Sequence, residues 1–241
     1  MASPEVSWWQ YARSYDVLCD HNPYYQQNLE QFSTWLSELE LDANPDICEV
    51  GAGTGNFLNL AAELRPDASF YHWDWNSTMN AIARQKYDNS QIQVEIQNNN
   101  ISEFPGDLPR QDVMLAFNAL YTFPDGFRVL EEVFQLLKPG GWFYTVDIGR
   151  PLEVGNWLID LVSHNIKSIG FSKTMSVLLK SRFAITANRQ INDEGDSGQY
   201  WRHETSEFGD WLEDAGFEVV LLERCYRDSA DRAICRKPLT N

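Results

Sequence analysis

The spacing of apolar residues changes repeatedly along this chain, and the order of the changes lays out a fold. Ile47, Cys48 and Val50 form a short apolar run between Asn44-Pro45 and a glycine, the pattern of a buried strand. Phe57, Leu60, Ala61 and Leu64 then share one helical face, which ends at Arg65-Pro66. Residues 68–75 predict a second strand rich in aromatics, after which Asn76-Ser77 caps a helix with Met79, Ile82 and Ala83 turned inward. Ile92, Val94 and Ile96 alternate with polar residues as a third strand, and residues 112–117 read as an apolar fourth. Phe127, Leu130, Val133, Phe134 and Leu137 predict a helix stopping at Lys138-Pro139-Gly140-Gly141, before a fifth strand at 142–148. Strands and helices alternating in this way predict a parallel sheet with right-handed crossovers.

The two ends of the chain differ from this middle. Residues 1–22 are aromatic and polar; Asn22-Pro23 then starts a helix carrying Tyr25, Leu29, Phe32, Leu36 and Leu39, to about Glu40. Regularity breaks over 151–205, where Trp157, Leu158, Leu161 and Val162 suggest one helix and Met175, Leu178, Leu179 and Arg182 another. The polar stretch 188–199 reads as mobile. Phe208, Trp211, Leu212 and Ala215 restore a helical stripe, ended by Gly216. Strands at 217–225 and 231–237 are joined by so short a turn that they must be antiparallel.

Composition narrows the class of function. The chain carries 19 Lys+Arg against 35 Asp+Glu, a net charge of −16, so a basic face for nucleic acid is not expected. Cys19, Cys48, Cys225 and Cys235 are scattered without metal-ligand spacing, as free thiols in a reducing cytoplasm would be, and no metal is expected. There is no basic-then-apolar leader at the N-terminus and no run near the ~20 apolar residues of a membrane span, so a cytoplasmic location is expected.

Candidate chemistry gathers in the turn between the first strand and its helix, where Gly51, Gly53 and Gly55 follow Glu49. Glycine admits positive φ and lets a ligand approach the backbone, as nucleotide-binding turns require. A dinucleotide site wants its third glycine at position 56, which is Asn56, and an acidic Glu49 would repel a diphosphate but attract a sulfonium. Residues 46–57 resemble the first motif of the class I S-adenosylmethionine-dependent methyltransferases, of the small-molecule type. The resemblance implies a Rossmann-like, doubly wound α/β sheet of seven strands, mostly parallel with one antiparallel C-terminal strand and a helical insertion after the fifth. It implies one domain over 1–241, with a helical cover at 1–40 and an inserted lid at 151–205. It also implies S-adenosyl-L-methionine as cofactor and methyl transfer by in-line displacement to oxygen, nitrogen or carbon of a small molecule.

Within that resemblance, Glu49, Gly51, Ala52, Gly53 and Gly55 would line the cofactor. Asp74 would accept both ribose hydroxyls, and Trp75 would lie on the adenine unless it packs in the core. Asn100, where the family often has aspartate, would accept from the adenine amino group beside Ile101, with Asn99 as the alternative. Asn118 would meet the methionine portion. Tyr15 would cover that end or pack its helix on the sheet. Orientation carries much of a methyl transfer, so no triad is needed. Of His164, His203, Tyr121 and Asp147, the catalytic candidates are His164 and Tyr121, because the insertion and the fourth-strand end should face the methyl. His72 lies inside a strand and is expected to be a satisfied core residue. Lys167, Lys173, Lys180 and Arg182 make the insertion the most basic part of the chain, able to meet anionic groups; it could equally face a second copy in a homodimer, or a membrane. Two rivals remain: an NAD(P)-dependent oxidoreductase, and a non-catalytic nucleoside-binding or partner-binding protein.

Overall fold

A computed structural model describes residues 8–98, 109–195 and 200–239, so the expected roles of Asn99, Asn100 and Ile101 fall outside the described residues. Seven strands, β1 (Asp46–Val50), β2 (Ser69–Trp73), β3 (Val94–Gln97), β4 (Gln111–Phe117), β5 (Leu137–Ile148), β6 (Glu218–Cys225) and β7 (Ala230–Arg236), form one sheet in the order β3-β2-β1-β4-β5-β7-β6. All neighbours from β3 to β5 are parallel, and β7 is antiparallel to both β5 and β6. The β6–β7 turn is tight because Tyr226, Arg227 and Asp228 all take positive φ.

Eight helices accompany the sheet among the described residues: α1 (Trp8–Asp20), α2 (Pro23–Glu38), α3 (Asn56–Leu64), α4 (Ser77–Ser90), α5 (Gly126–Leu136), α6 (Val154–Ile169), α7 (Phe171–Gly195) and α8 (Thr205–Asp214). Their starts follow local chemistry. The Asn22 and Asn76 side chains accept from the second and third amides of α2 and α4, Asp125 caps α5, and Glu204 with Glu207 forms a capping box on α8.

Side-chain alternation divides the core. Along β4, Val113, Leu115 and Phe117 join Phe32, Leu36, Phe57 and Ala61 on the α2–α3–α4 face. Met114 and Ala116 point the other way, into Leu130, Val133, Phe134, Phe208 and Leu212 of α5 and α8. A third cluster joins α1 to the insertion through Tyr11, Ala12, Leu18, Trp157, Leu161, Ala184 and Ala187.

The sequence pattern misplaced two boundaries. The expected helix stop at Lys138-Pro139-Gly140-Gly141 is the start of β5 itself, because Leu137 already pairs with Gln111. The polar stretch from residue 188, expected to be mobile, continues α7 to Gly195. No described helix is long and apolar enough to cross a membrane.

Candidate functional site

The order of strands reverses between β1 and β4, and the chain leaves β1 through the glycine turn at that point. Gly51 has φ +65°, and a Cβ there would run into the Ala119 Cβ beyond β4, so only glycine lets the two strand ends close up. Buried Ala52 donates its N–H to the Trp73 carbonyl at 3.1 Å, which ties the turn to β2. Gly55 takes φ +73° as the N-cap of α3 with no side chain to offer, and the Glu49 carboxylate accepts from Leu58 N instead, at 3.1 Å. Glu49 thus sits at the α3 N-terminus, 2% exposed, and burial pushes its carboxyl up to about 8.

Asp74 ends β2 and is 7% exposed. One oxygen accepts from Gly53 N at 2.9 Å and the other from Asn76 N at 2.7 Å. Burial pushes the group up while these two amides hold it down. Each carboxylate oxygen can accept twice, so the group retains capacity toward two hydroxyls. Trp75 is 50% exposed, which removes core packing as its role. His72 is buried with Nδ1 on the Tyr87 hydroxyl and Nε2 on Asn80 Oδ1; burial depresses it to about 4, the satisfied core imidazole expected.

Helix α1 holds the turn from above. The Asp16 carboxylate accepts from Thr54 Oγ1 at 2.5 Å and from Asn56 Nδ2 at 3.3 Å, and pairs with Lys86 at 3.1 Å. The neighbouring Tyr15 faces a cavity of about 110 Å3 at the carboxyl ends of β4 and β5. Tyr11, Tyr25, Tyr121, Tyr200, Tyr226 and Trp157 line the same cavity, with Asn118, Asn192 and Arg202 among its polar groups. Asn118 holds its backbone at φ +50°, donates its N–H to Val146 O at 2.7 Å, and has a buried Oδ1 with no hydrogen-bond partner among the described residues.

Of the two catalytic candidates, Tyr121 is brought to the cavity and His164 is not. His164 is exposed on α6, in a surface groove with Asp20 and His21. Burial and then Asp147 push the Tyr121 phenol upward, so it stays protonated and can orient an acceptor but not serve as a base at neutral pH. His203 lies under the cavity, 3.6 Å from Asp147 and 3.4 Å from Asp231. Burial alone would lower it, but the two carboxylates raise it to about 9. Asp231 in turn takes both guanidinium nitrogens of Arg150, at 2.6 and 3.0 Å. The segment leading to His203 alternates: Tyr200 and Arg202 line the cavity, while Trp201 stacks on Trp211 and His203 on Phe208. Trp201 N donates to Tyr121 O and His203 N to Gly149 O, which fixes this strap across the ends of β4 and β5. Sequence spacing could not find Tyr11, Tyr25, Tyr200, Arg202 or Tyr226, since only the fold brings them together.

A family model described as a methyltransferase domain matches residues 20–222. Methyltransferase str2 of Strobilurus tenacellus is 35% identical over 114 residues, 47% of this chain and 39% of that protein. A demethylmenaquinone methyltransferase of Oceanobacillus iheyensis is 26% identical over 122 residues, 50% of this chain and 51% of that protein. The chain thus spans about half the length, or less, of these curated relatives. The structure of a magnesium protoporphyrin IX methyltransferase from Synechocystis, with S-adenosylhomocysteine bound, is similar with a TM-score of 0.60 at 13% identity, covering 88% of this chain and 83% of that one. The dinucleotide alternative is not favoured, and the match over most of the sequence shows that the chain belongs to the methyltransferase-domain family, with the fold of the class I S-adenosylmethionine-dependent methyltransferases.

Proposed function

We propose that this chain transfers a methyl group to a small planar acceptor held in the tyrosine-lined cavity. The observation that carries this is the placement of that cavity: Asn118 and Tyr121, just past β4, line it on one side, and α1, α6 and α7 close it. A volume of about 110 Å3 is near that of cavities that admit a single aromatic ring. Phenol and indole walls suit such a ring by offset or edge contacts. Residues 151–205 then act as the lid of a single catalytic domain, with residues 1–40 as its cover.

The residues fit S-adenosylmethionine on the same edge of the sheet. Asp74 would take the ribose hydroxyls with its remaining lone pairs, and exposed Trp75 would lie along the adenine. Gly51, Ala52 and Gly53 would present backbone to the nucleoside. The partnerless Asn118 Oδ1 would accept from the amino end, close to Tyr15. The cofactor supplies a methyl carbon activated by its sulfonium. The protein's part is to exclude water and align the acceptor, and effective molarities from alignment are worth several kcal/mol or more. The described residues lining the cavity carry no imidazole or carboxylate, and the acceptors proposed are those whose own acidity lessens the need for a base.

The test is methyl transfer from labelled S-adenosylmethionine to a panel of phenols, hydroquinones and aromatic amines. Tyr121→Phe should lower kcat/KM about tenfold, the scale of one lost hydrogen bond, with S-adenosylhomocysteine affinity unchanged, while His164→Ala should leave turnover intact. Turnover that depends on His164 and ignores Tyr121 would contradict this placement of the acceptor.

A further inference from the structure

We propose that the outer face of the α6–α7 hairpin docks on an anionic lipid bilayer. No residue from 161 to 191 is acidic, although the whole chain carries a net charge of −16. The same interval holds Lys167, Lys173, Lys180, Arg182 and Arg189, all exposed. Interleaved with them are large apolar side chains facing outward: Ile166 is 39% exposed, Phe171 66%, Leu179 64% and Phe183 37%. Leu179 and Phe183 are four apart on α7 and so share a face, and the Arg182 guanidinium lies 4.5 Å from the Phe183 ring centroid. Phe171 stands at the hairpin tip, immediately after Gly170.

Apolar side chains rimmed by lysine and arginine, on a helix with an ordered inner face, match an element lying in the plane of a lipid interface. A protein groove would satisfy the apolar residues but gives no reason for removing every carboxylate over this interval. An anionic bilayer does give one, because each cation near its surface contributes about 1 kcal/mol and a carboxylate would cost a similar amount. The acidic remainder of the chain is screened beyond a Debye length of about 8 Å at physiological ionic strength. It would also turn this basic face toward the membrane. The inner side of α7 supplies Asn188, Ile191 and Asn192 to the cavity, so docking would set the cavity cover against the lipid.

Sedimentation of the full chain with vesicles tests this, using phosphatidylcholine alone and phosphatidylcholine with a third phosphatidylglycerol. Binding is expected to the anionic vesicles and to weaken steeply from 50 to 500 mM salt. Lys173→Gln with Lys180→Gln should weaken it roughly thirtyfold, at about 1 kcal/mol per cation removed. Leu179→Ser with Phe183→Ser should abolish it, and melting temperatures should confirm that both double variants fold. Equal binding to neutral vesicles, or no binding to either, would overturn the proposal. So would a concentration-dependent dimer that the serine variant disrupts, since the face would then cover a second copy.

Discussion

Gly55 has no side chain to offer the first amides of α3, and Glu49 reaches from β1 to fill that need at the cost of burying a carboxyl. The consequence is a pH dependence of known sign. With a folded-state value of about 8 against 4.5 for the free group, the folded chain holds this proton more tightly than the unfolded one. Stability therefore falls as pH rises from 4.5 to 8, and this group adds no further slope above that. Glu49→Gln keeps an acceptor for Leu58 N and removes the ionisation. Urea midpoints measured from pH 5 to 8.5 should decline for wild type and less steeply in the variant, with the difference largest below pH 6.5; Asp74 throughout and His203 above pH 6.5 contribute a residual slope of the same sign. Identical slopes in the two would mean that Glu49 is ionised throughout.

The strap from Tyr200 to His203 shows how an irregular segment can be held as firmly as a strand. His203 sits between Asp147 and Asp231; its charge offsets the buried Asp147, while Asp231 is held by Arg150 as well. Its raised value means that its contribution is complete below pH 6.5 and is lost as pH rises through about 9. Breaking such a buried arrangement costs about 3–5 kcal/mol, so His203→Gln should lower the unfolding free energy by that order. It should also lose the wild-type decline between pH 7 and 10. Because Tyr200 and Arg202 ride on the strap, the acceptor KM should rise more than the dissociation constant for S-adenosylhomocysteine. An unchanged pH profile in the variant would place the titration elsewhere. Helix α7 lies where Met175, Leu178, Leu179 and Arg182 suggest a helix, but its inward face and its length were not legible in the pattern. Its inward stripe is Thr174, Val177, Ser181, Ala184, Ala187 and Ile191, mostly small residues that pack closely on α1 but give little hydropathy contrast. The turn-forming letters after residue 188 then outweighed that stripe on paper, whereas packing of Ala187 and Ile191 kept the helix going.

For the molecule as a whole, the sheet could be read from the sequence because each strand is an apolar or alternating run closed by its own punctuation. Glycines at 51, 53 and 55 and a carboxylate at 74 mark the strand ends that form the crevice, and the topology places them side by side, with Gly53 N on Asp74. The tyrosine-lined cavity could not be read in the same way. Its tyrosines come from α1, α2, the β4 end, the strap and the β6–β7 turn, and no local spacing links them. His164 was drawn in by its position in the insertion, yet α6 turns it outward to the surface.

The most direct measurement is calorimetric titration of S-adenosylhomocysteine into wild type and Asp74→Ala, with NADH titrated in parallel. Wild type should bind S-adenosylhomocysteine and not NADH. The variant should bind at least about tenfold more weakly, since a charge-assisted hydrogen bond contributes about 1.5–3 kcal/mol. Wild type that binds only NADH, or an Asp74→Ala variant with undiminished affinity for S-adenosylhomocysteine, would contradict a methyl-donor crevice at the β1–β4 switch point.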